Sequence, residues 1–373
     1  MNCLRRCWAE IDLSAIKYNI EQYRACLKGG TELLCVVKAN CYGHSDKIVV
    51  PYLERLGIKW FAVSNLIEAE HLRALGVDGE IIILGYTPEE NADDLIRYNI
   101  IQACTEYTYA QKLNESASAG RVRLHIAIDT GMTRIGLHGD AKTDADDIQK
   151  IMALENVSVE GMFTHYAVAD CADEDSIAYT KAQTEKILAV DEELKGRGVS
   201  LKCVHFLNSA GGVYHTNEKS ALARLGIILY GLYPDPSNPL PFEPKPVMQL
   251  KAVVSQVKYI EAGTDVSYGR TFTADKRIKL ATVTAGYADG FPRALSNKGE
   301  VIIKGTRCKI VGRICMDQFM CDVSALDDVQ AGDVATLFGR EITADDIAGL
   351  TGTIGYEIVC GIAERVPRVE VRD

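Results

Sequence analysis

The sequence predicts an α/β protein: an N-terminal (β/α)8 TIM barrel over residues 1–235, then a mostly antiparallel β domain over residues 236–373. Three observations predict it. Eight short, β-rich apolar runs alternate with charged amphipathic stretches over the first two thirds of the chain, the pattern of parallel strands covered by helices. A proline-rich break follows at 234–246, which holds six of the ten prolines. Proline fixes φ and lacks a backbone donor, so this stretch reads as an extended linker. Beyond it, Gly and Asp turns rather than helices separate the apolar runs.

The eight predicted barrel strands are 33–37, 60–63, 81–84, 100–104, 122–128, 157–163, 203–206 and 224–230. Helical periodicity falls between them at 46–56, 66–75, 89–98, 107–118, 144–154 and 177–195. A doubly wound sheet is the alternative, and it would usually stop at fewer strands. Past the linker, strands are predicted at 248–260, 277–284, 300–303, 309–311, 320–323 and 334–338, with a helix at 343–350.

Composition narrows the function classes. The 373 residues are 47% hydrophobic and 25% charged, as in a globular protein with a large core. A net charge of −10 argues against nucleic-acid or anionic-membrane partners, which need a basic surface. No apolar run approaches the ~20 residues that span a bilayer. Glu10 and Asp12 fall where a signal peptide would be apolar, so a cytoplasmic protein is expected. The twelve cysteines include no Cys-x-x-Cys pair, and several sit in strand-like runs. They read as buried reduced thiols, and no metal site is assigned.

In a β/α barrel, chemistry gathers at the C-terminal strand ends. Lys38 ends the first strand, ahead of Tyr42-Gly43-His44. A lysine at the mouth of a cavity is desolvated, and its amine becomes a nucleophile suited to Schiff-base chemistry. Arg134 follows the fifth strand, and His165 the sixth. Asn208-Ser209-Ala210-Gly211-Gly212 follows the seventh, and Arg224-Leu225-Gly226-Ile227 belongs to the eighth. Loops after strands 7 and 8 often bind phosphate. Ser209, Gly226 and Ile227 offer a hydroxyl and N–H groups to a phosphate monoester.

The segments Val36-Val37-Lys38-Ala39-Asn40-x-Tyr42-Gly43-His44, Asp129-Thr130-Gly131-Met132-x-Arg134, Phe163-Thr164-His165, Asn208-Ser209-Ala210 and Arg224-x-Gly226-Ile227 occur in this order. They are followed by Val266-Ser267-Tyr268-Gly269, Gly286-Tyr287-Ala288-Asp289-Gly290, Gly312-Arg313-Ile314-Cys315-Met316-Asp317 and Gly355-Tyr356-Glu357. Together they resemble the alanine racemase family, collinearly over essentially the whole chain. The resemblance implies pyridoxal 5'-phosphate (PLP) held at Lys38. It assigns Tyr42, Asn208, Ser209, Gly226, Ile227 and Tyr356 to cofactor binding, mainly at the phosphate. Arg224 would face the pyridine nitrogen, with His165 beside the ring and His205 behind Arg224. Lys38 and Tyr268 would be the two catalytic bases, with Arg134, Met316 and Asp317 at the substrate. Tyr268, Met316 and Asp317 would come from the partner of a homodimer.

The implied reaction is racemisation of a small amino acid, L- and D-alanine, supplying D-alanine for peptidoglycan. A serine racemase of the same family and a PLP-dependent decarboxylase are the alternatives, ahead of a non-catalytic PLP carrier and a metal-dependent hydrolase. Two departures from the family stand out. Ala127 occupies a position where many members carry a carbamylated lysine that braces the arginine. Cys41 places a thiol beside the phosphate contact, which predicts sensitivity to oxidation.

Overall fold

The computed structural model describes residues 6–372. Its first half is a parallel sheet rolled on itself. The strands are β2 (Glu32–Val36), β3 (Trp60–Val63), β4 (Glu80–Ile83), β5 (Ile100–Cys104), β6 (Val122–Ala127), β7 (Val157–Phe163), β8 (Cys203–His205) and β9 (Leu222–Leu225), after β1 (Cys7–Asp12). They run in the order β9-β2-β3-β4-β5-β6-β7-β8, and all pairings are parallel. A parallel bridge from Leu207 to Ala223 and the Arg224 N–H to Leu207 O bond (2.9 Å) draw the two edges together. The predicted eight-strand barrel is borne out.

Alternation along each strand sorts the side chains. Leu34, Ala62, Ile82, Ile101 and Leu222 point inward and pack on one another. Their neighbours Cys35, Phe61, Ile81, Ile83 and Ala223 point outward and join the helix-covered core. Both faces are buried, so these strands read as continuous apolar runs. The eighth strand is shorter than predicted. It stops at Leu225, Gly226 leaves the β region (φ −109°, ψ −101°), and Ile227–Tyr230 is a 3-10 turn. All these residues are buried, and an apolar run buried on every side carries no periodicity that separates strand from turn.

The second sheet has the order β13-β16-β15-β14-β17-β10-β1-β18, with β10 also pairing β13. The strands after the barrel are β10 (Met248–Ile260), a small pair β11 (Asp265–Val266) and β12 (Phe272–Thr273), β13 (Ile278–Val283), β14 (Glu300–Ile303), β15 (Thr306–Val311), β16 (Phe319–Asp322), β17 (Val334–Phe338) and β18 (Arg368–Val371). The β11–β12 pair forms its own two-stranded sheet. Pairing is antiparallel except between β1 and β18. The sequence reading had no strand at β1, which crosses from the start of the chain into this sheet. Asp12 ends it, caps the helix Leu13–Cys26 through Ser14 and Ala15 N–H, and pairs with Arg340 at 2.9 Å. That one carboxylate ties the first barrel helix to the second sheet. Among the described residues, no helix is long and apolar enough to cross a membrane.

Candidate active site

A cavity of about 900 Å³ opens at the C-terminal strand ends. Lys38, Tyr42, Arg134, His165, Asn208, Ser209, Arg224, Gly226, Ile227 and Tyr356 all line it. Tyr356 is carried by the helix Gly355–Cys360 of the second domain, a helix the sequence reading did not predict. Its ring lies 6.3 Å from that of Tyr42.

Lys38 is half-buried at the start of an unusual turn. Ala39, Asn40, Cys41 and Tyr42 have φ of 52°, 53°, 55° and 52°, one turn of left-handed helix closed by Gly43 at 81°. Each L-residue in this region costs about 1–2 kcal/mol, so neighbours must hold the turn. Ala39 N–H donates to Glu68 Oε1 (2.8 Å), and Tyr230 Oη–H to Val36 O (2.9 Å). His44 Nδ1 meets the Cys41 and Tyr42 carbonyls at 3.0 and 2.9 Å, and Arg368 Nε–H donates to Gly43 O. The turn lays the Tyr42 ring 4.9 Å from that of Tyr230. Strain concentrated at such a turn is typical of a functional site.

Arg224 is buried at 3% exposure. Its Nη2 donates to Thr164 O (2.8 Å), and its Nη1 to His205 Nδ1 (3.0 Å). No carboxylate pairs with it among the described residues. Burial, and then Arg134, lower its pKa to about 10, so it stays charged at neutral pH. His165 Nδ1 lies 3.4 Å from Arg224 Nη2. Burial, then Arg224, Arg134 and Lys38, push His165 down to about 3, so it is neutral. Arg134 is exposed and has no hydrogen bond or ion pair among the described residues. With alanine at 127, the patch near it is apolar: Ala103, Ala127, Phe163 and Leu84. Nothing here replaces a carbamate brace.

The residues fit PLP. Gly226 N–H donates to Ser209 Oγ (2.8 Å). A Cβ on Gly226 would sit 3.2 Å from Tyr42 Oη and 3.5 Å from Ser209 Oγ. Glycine therefore keeps the space beside the Tyr42 and Ser209 hydroxyls open, and hydroxyl and backbone N–H donors of this kind suit a phosphate. Lys38 and Arg224 supply the cationic wall of the same cavity. Asn208 is spent locally, accepting from Gly211 N–H (2.8 Å) and reaching Tyr166 O (3.5 Å).

Tyr268, Met316 and Asp317 do not line the cavity. Tyr268 is 72% and Met316 53% exposed on the second domain. Asp317 pairs with Arg365 at 2.7 Å, and Arg365 also holds the buried Asp289 at 2.9 Å. One chain thus assembles the barrel side of the site and presents the second set outward. Cys41 is fully buried and its thiol is pushed well above the ordinary range by burial, which contradicts the expected oxidation sensitivity. Sequence reading missed Cys360, an exposed residue on the cavity wall. It also missed His125, whose alternation with the outward Leu124 and Ile126 was a legible signal.

Fold and site define a barrel enzyme built around a lysine amine and an anion cradle. The alanine racemase N-terminal domain matches residues 11–234, and the C-terminal domain matches 247–370. The chain belongs to the alanine racemase family and is an amino-acid racemase. The alanine racemase of Clostridium tetani is 43% identical, over 99% of this chain and 96% of its own. Among solved structures, alanine racemase of Clostridium difficile 630 has a TM-score of 0.94 at 36% identity, covering 100% of this chain and 97% of that one. A histidine racemase from Leuconostoc mesenteroides subsp. sake has a TM-score of 0.90 at 27% identity, covering 99% of each.

Proposed function

We propose that the protein interconverts L- and D-alanine with PLP at Lys38. The observation that carries this is Lys38 and the carboxylate-free Arg224 on one cavity, with Ser209, Gly226 and Tyr42 forming a cradle beside them. PLP, when bound, supplies the electron sink that acidifies an amino acid's α-proton. Ser209, Gly226, Ile227, Tyr42 and Tyr356 would hold its phosphate end. Arg224 presents N–H donors only and cannot accept a proton from a ring nitrogen, which favours proton exchange over transamination. Lys38 Nζ moves the proton on one face and Tyr268 Oη on the other. Arg134 orients the substrate.

Tyr268 is 72% exposed and lies off its own chain's cavity. This supports a head-to-tail homodimer in which Tyr268, Met316 and Asp317 complete the partner's site. The histidine-directed relative indicates that fold alone leaves the side chain open. Tyr356 over the cavity favours alanine, since its ring crowds anything larger than methyl. A pocket of fixed size discriminates one heavy atom by only about 1–3 kcal/mol, so serine is a slow second substrate. We place the reaction in the cytoplasm, where free cysteines persist, with D-alanine for peptidoglycan as its product. Chiral chromatography after incubation with each enantiomer of alanine and serine tests the substrate. Serine turnover equal to alanine would overturn it. Borohydride should fix the cofactor onto Lys38. Disrupting the gene should create a D-alanine requirement if no second racemase is present.

A further inference from the structure

Behind Arg224 the barrel strands carry a buried polar cluster, distinct from the Arg123 ion pairs to Glu80 and Glu160. His125 on β6, His205 on β8 and Arg224 on β9 are 1%, 0% and 3% exposed. Arg224 Nη1 is a donor only, so His205 Nδ1, 3.0 Å away, is the acceptor. The His205 proton is then on Nε2. That atom lies 3.1 Å from His125 Nδ1, which must therefore be an acceptor, with the His125 proton on Nε2. His125 Nε2 is buried and has no hydrogen-bond partner among the described residues. The donors run one way, from guanidinium to His205 to His125. Beside it in register, β7 carries Gly161, where a Cβ would stand 2.3 Å from Cys203 O and 2.8 Å from His125 Nε2. The glycine makes room for that carbonyl and for this imidazole.

We propose that His125 is a positioning residue: by accepting from His205 Nε2–H it stabilises the tautomer that the Arg224 contact requires, and so holds the guanidinium in place. With no acceptor at 125, the His205 Nε2–H is left buried and unpaired, so the proton shifts to Nδ1 at the expense of the Arg224 hydrogen bond. A residue that merely filled space would have no such effect. Cys203 lies with the two histidines within 4.8 Å, a spacing a soft cation can use. A dication there would stand one imidazole away from the guanidinium with no carboxylate in the cluster, so the hydrogen-bond assignment is favoured. The tautomer assignment stands on geometry alone. Its consequence for racemisation rests on the function proposed above.

The test is two-bond 1H–15N correlation on the PLP-loaded protein labelled with 15N-histidine. His205 should be protonated at Nε2 in wild type and in His125→Asn, whose side-chain oxygen replaces the acceptor. In His125→Phe it should show protonation at Nδ1. In step, kcat should fall about tenfold in His125→Phe, a loss of about 1.4 kcal/mol of transition-state stabilisation, and return to within about threefold in His125→Asn, with KM little changed. A wild-type proton on His205 Nδ1 overturns the proposal without any variant. So does an unchanged tautomer in folded His125→Phe, or stoichiometric zinc that wild type binds and Cys203→Ala loses. If wild type racemises no amino acid, the function fails while the tautomer result stands.

Discussion

Cys41 and Cys360 show how little residue type says about reactivity. Both lie near Lys38, but one is enclosed and the other lines the cavity. Iodoacetamide followed by peptide mass spectrometry should alkylate Cys360 and leave Cys41 unmodified in the folded protein. The reverse order would mean that the left-handed turn opens readily. Ala127 leads to a second expectation. It has no amine to carbamylate, so activity should be the same in CO2-depleted and bicarbonate-supplemented buffer. A bicarbonate requirement would show that another group braces Arg134. Lys38 and Ser209 were legible because each follows an apolar strand within a few residues, and Arg224 because it interrupts an apolar run. The His205–His125 contact was not, because 80 residues separate the pair.

At the scale of elements, the turn carrying Lys38 depends on a close approach. Gly43 has φ of 81°, and a Cβ there would lie 2.2 Å from Val359 O on the helix that bears Tyr356. Gly43→Ala should destabilise the protein by about 2–5 kcal/mol, from about 1–2 for the left-handed conformation and about 1–3 for overpacking. Urea denaturation measures it, and a loss below about 1 kcal/mol would show that the contact yields. Strand existence was legible from alternation and β-branched runs such as Ile81-Ile82-Ile83. The end of the eighth strand was not, since the backbone at Gly226 is decided by what it packs beside.

For the whole molecule, buried neutral histidines tie stability to pH. His44, His125 and His205 are 0%, 1% and 0% exposed. Burial lowers the first two to about 4 and the third well below its ordinary 6.5. The unfolded chain therefore binds more protons below pH 6.5. Stability present above that value is lost as pH falls toward 4, by up to about 1.4 kcal/mol per pH unit for each group. Thermal melts from pH 7 to 4.5 should show this fall, and His44→Asn should flatten it. Dimer assembly gives a separate expectation. Lys38→Ala and Tyr268→Phe proteins should each be nearly inactive. Mixed under subunit exchange, they should recover about a quarter of wild-type activity, because half the dimers are mixed and each holds one intact site. No recovery after demonstrated exchange would place both residues in the same chain's site.

By itself the sequence determined the eight βα repeats, the proline-marked break and the residues at the strand ends. Periodicity and strand-end chemistry are local properties, readable within a dozen residues. Only the tertiary structure decided that β1 joins the distant sheet, that four residues after Lys38 turn left-handed, and that His125 backs His205. Each of these is set by contacts between segments far apart in the chain, whose packing overrides local preference.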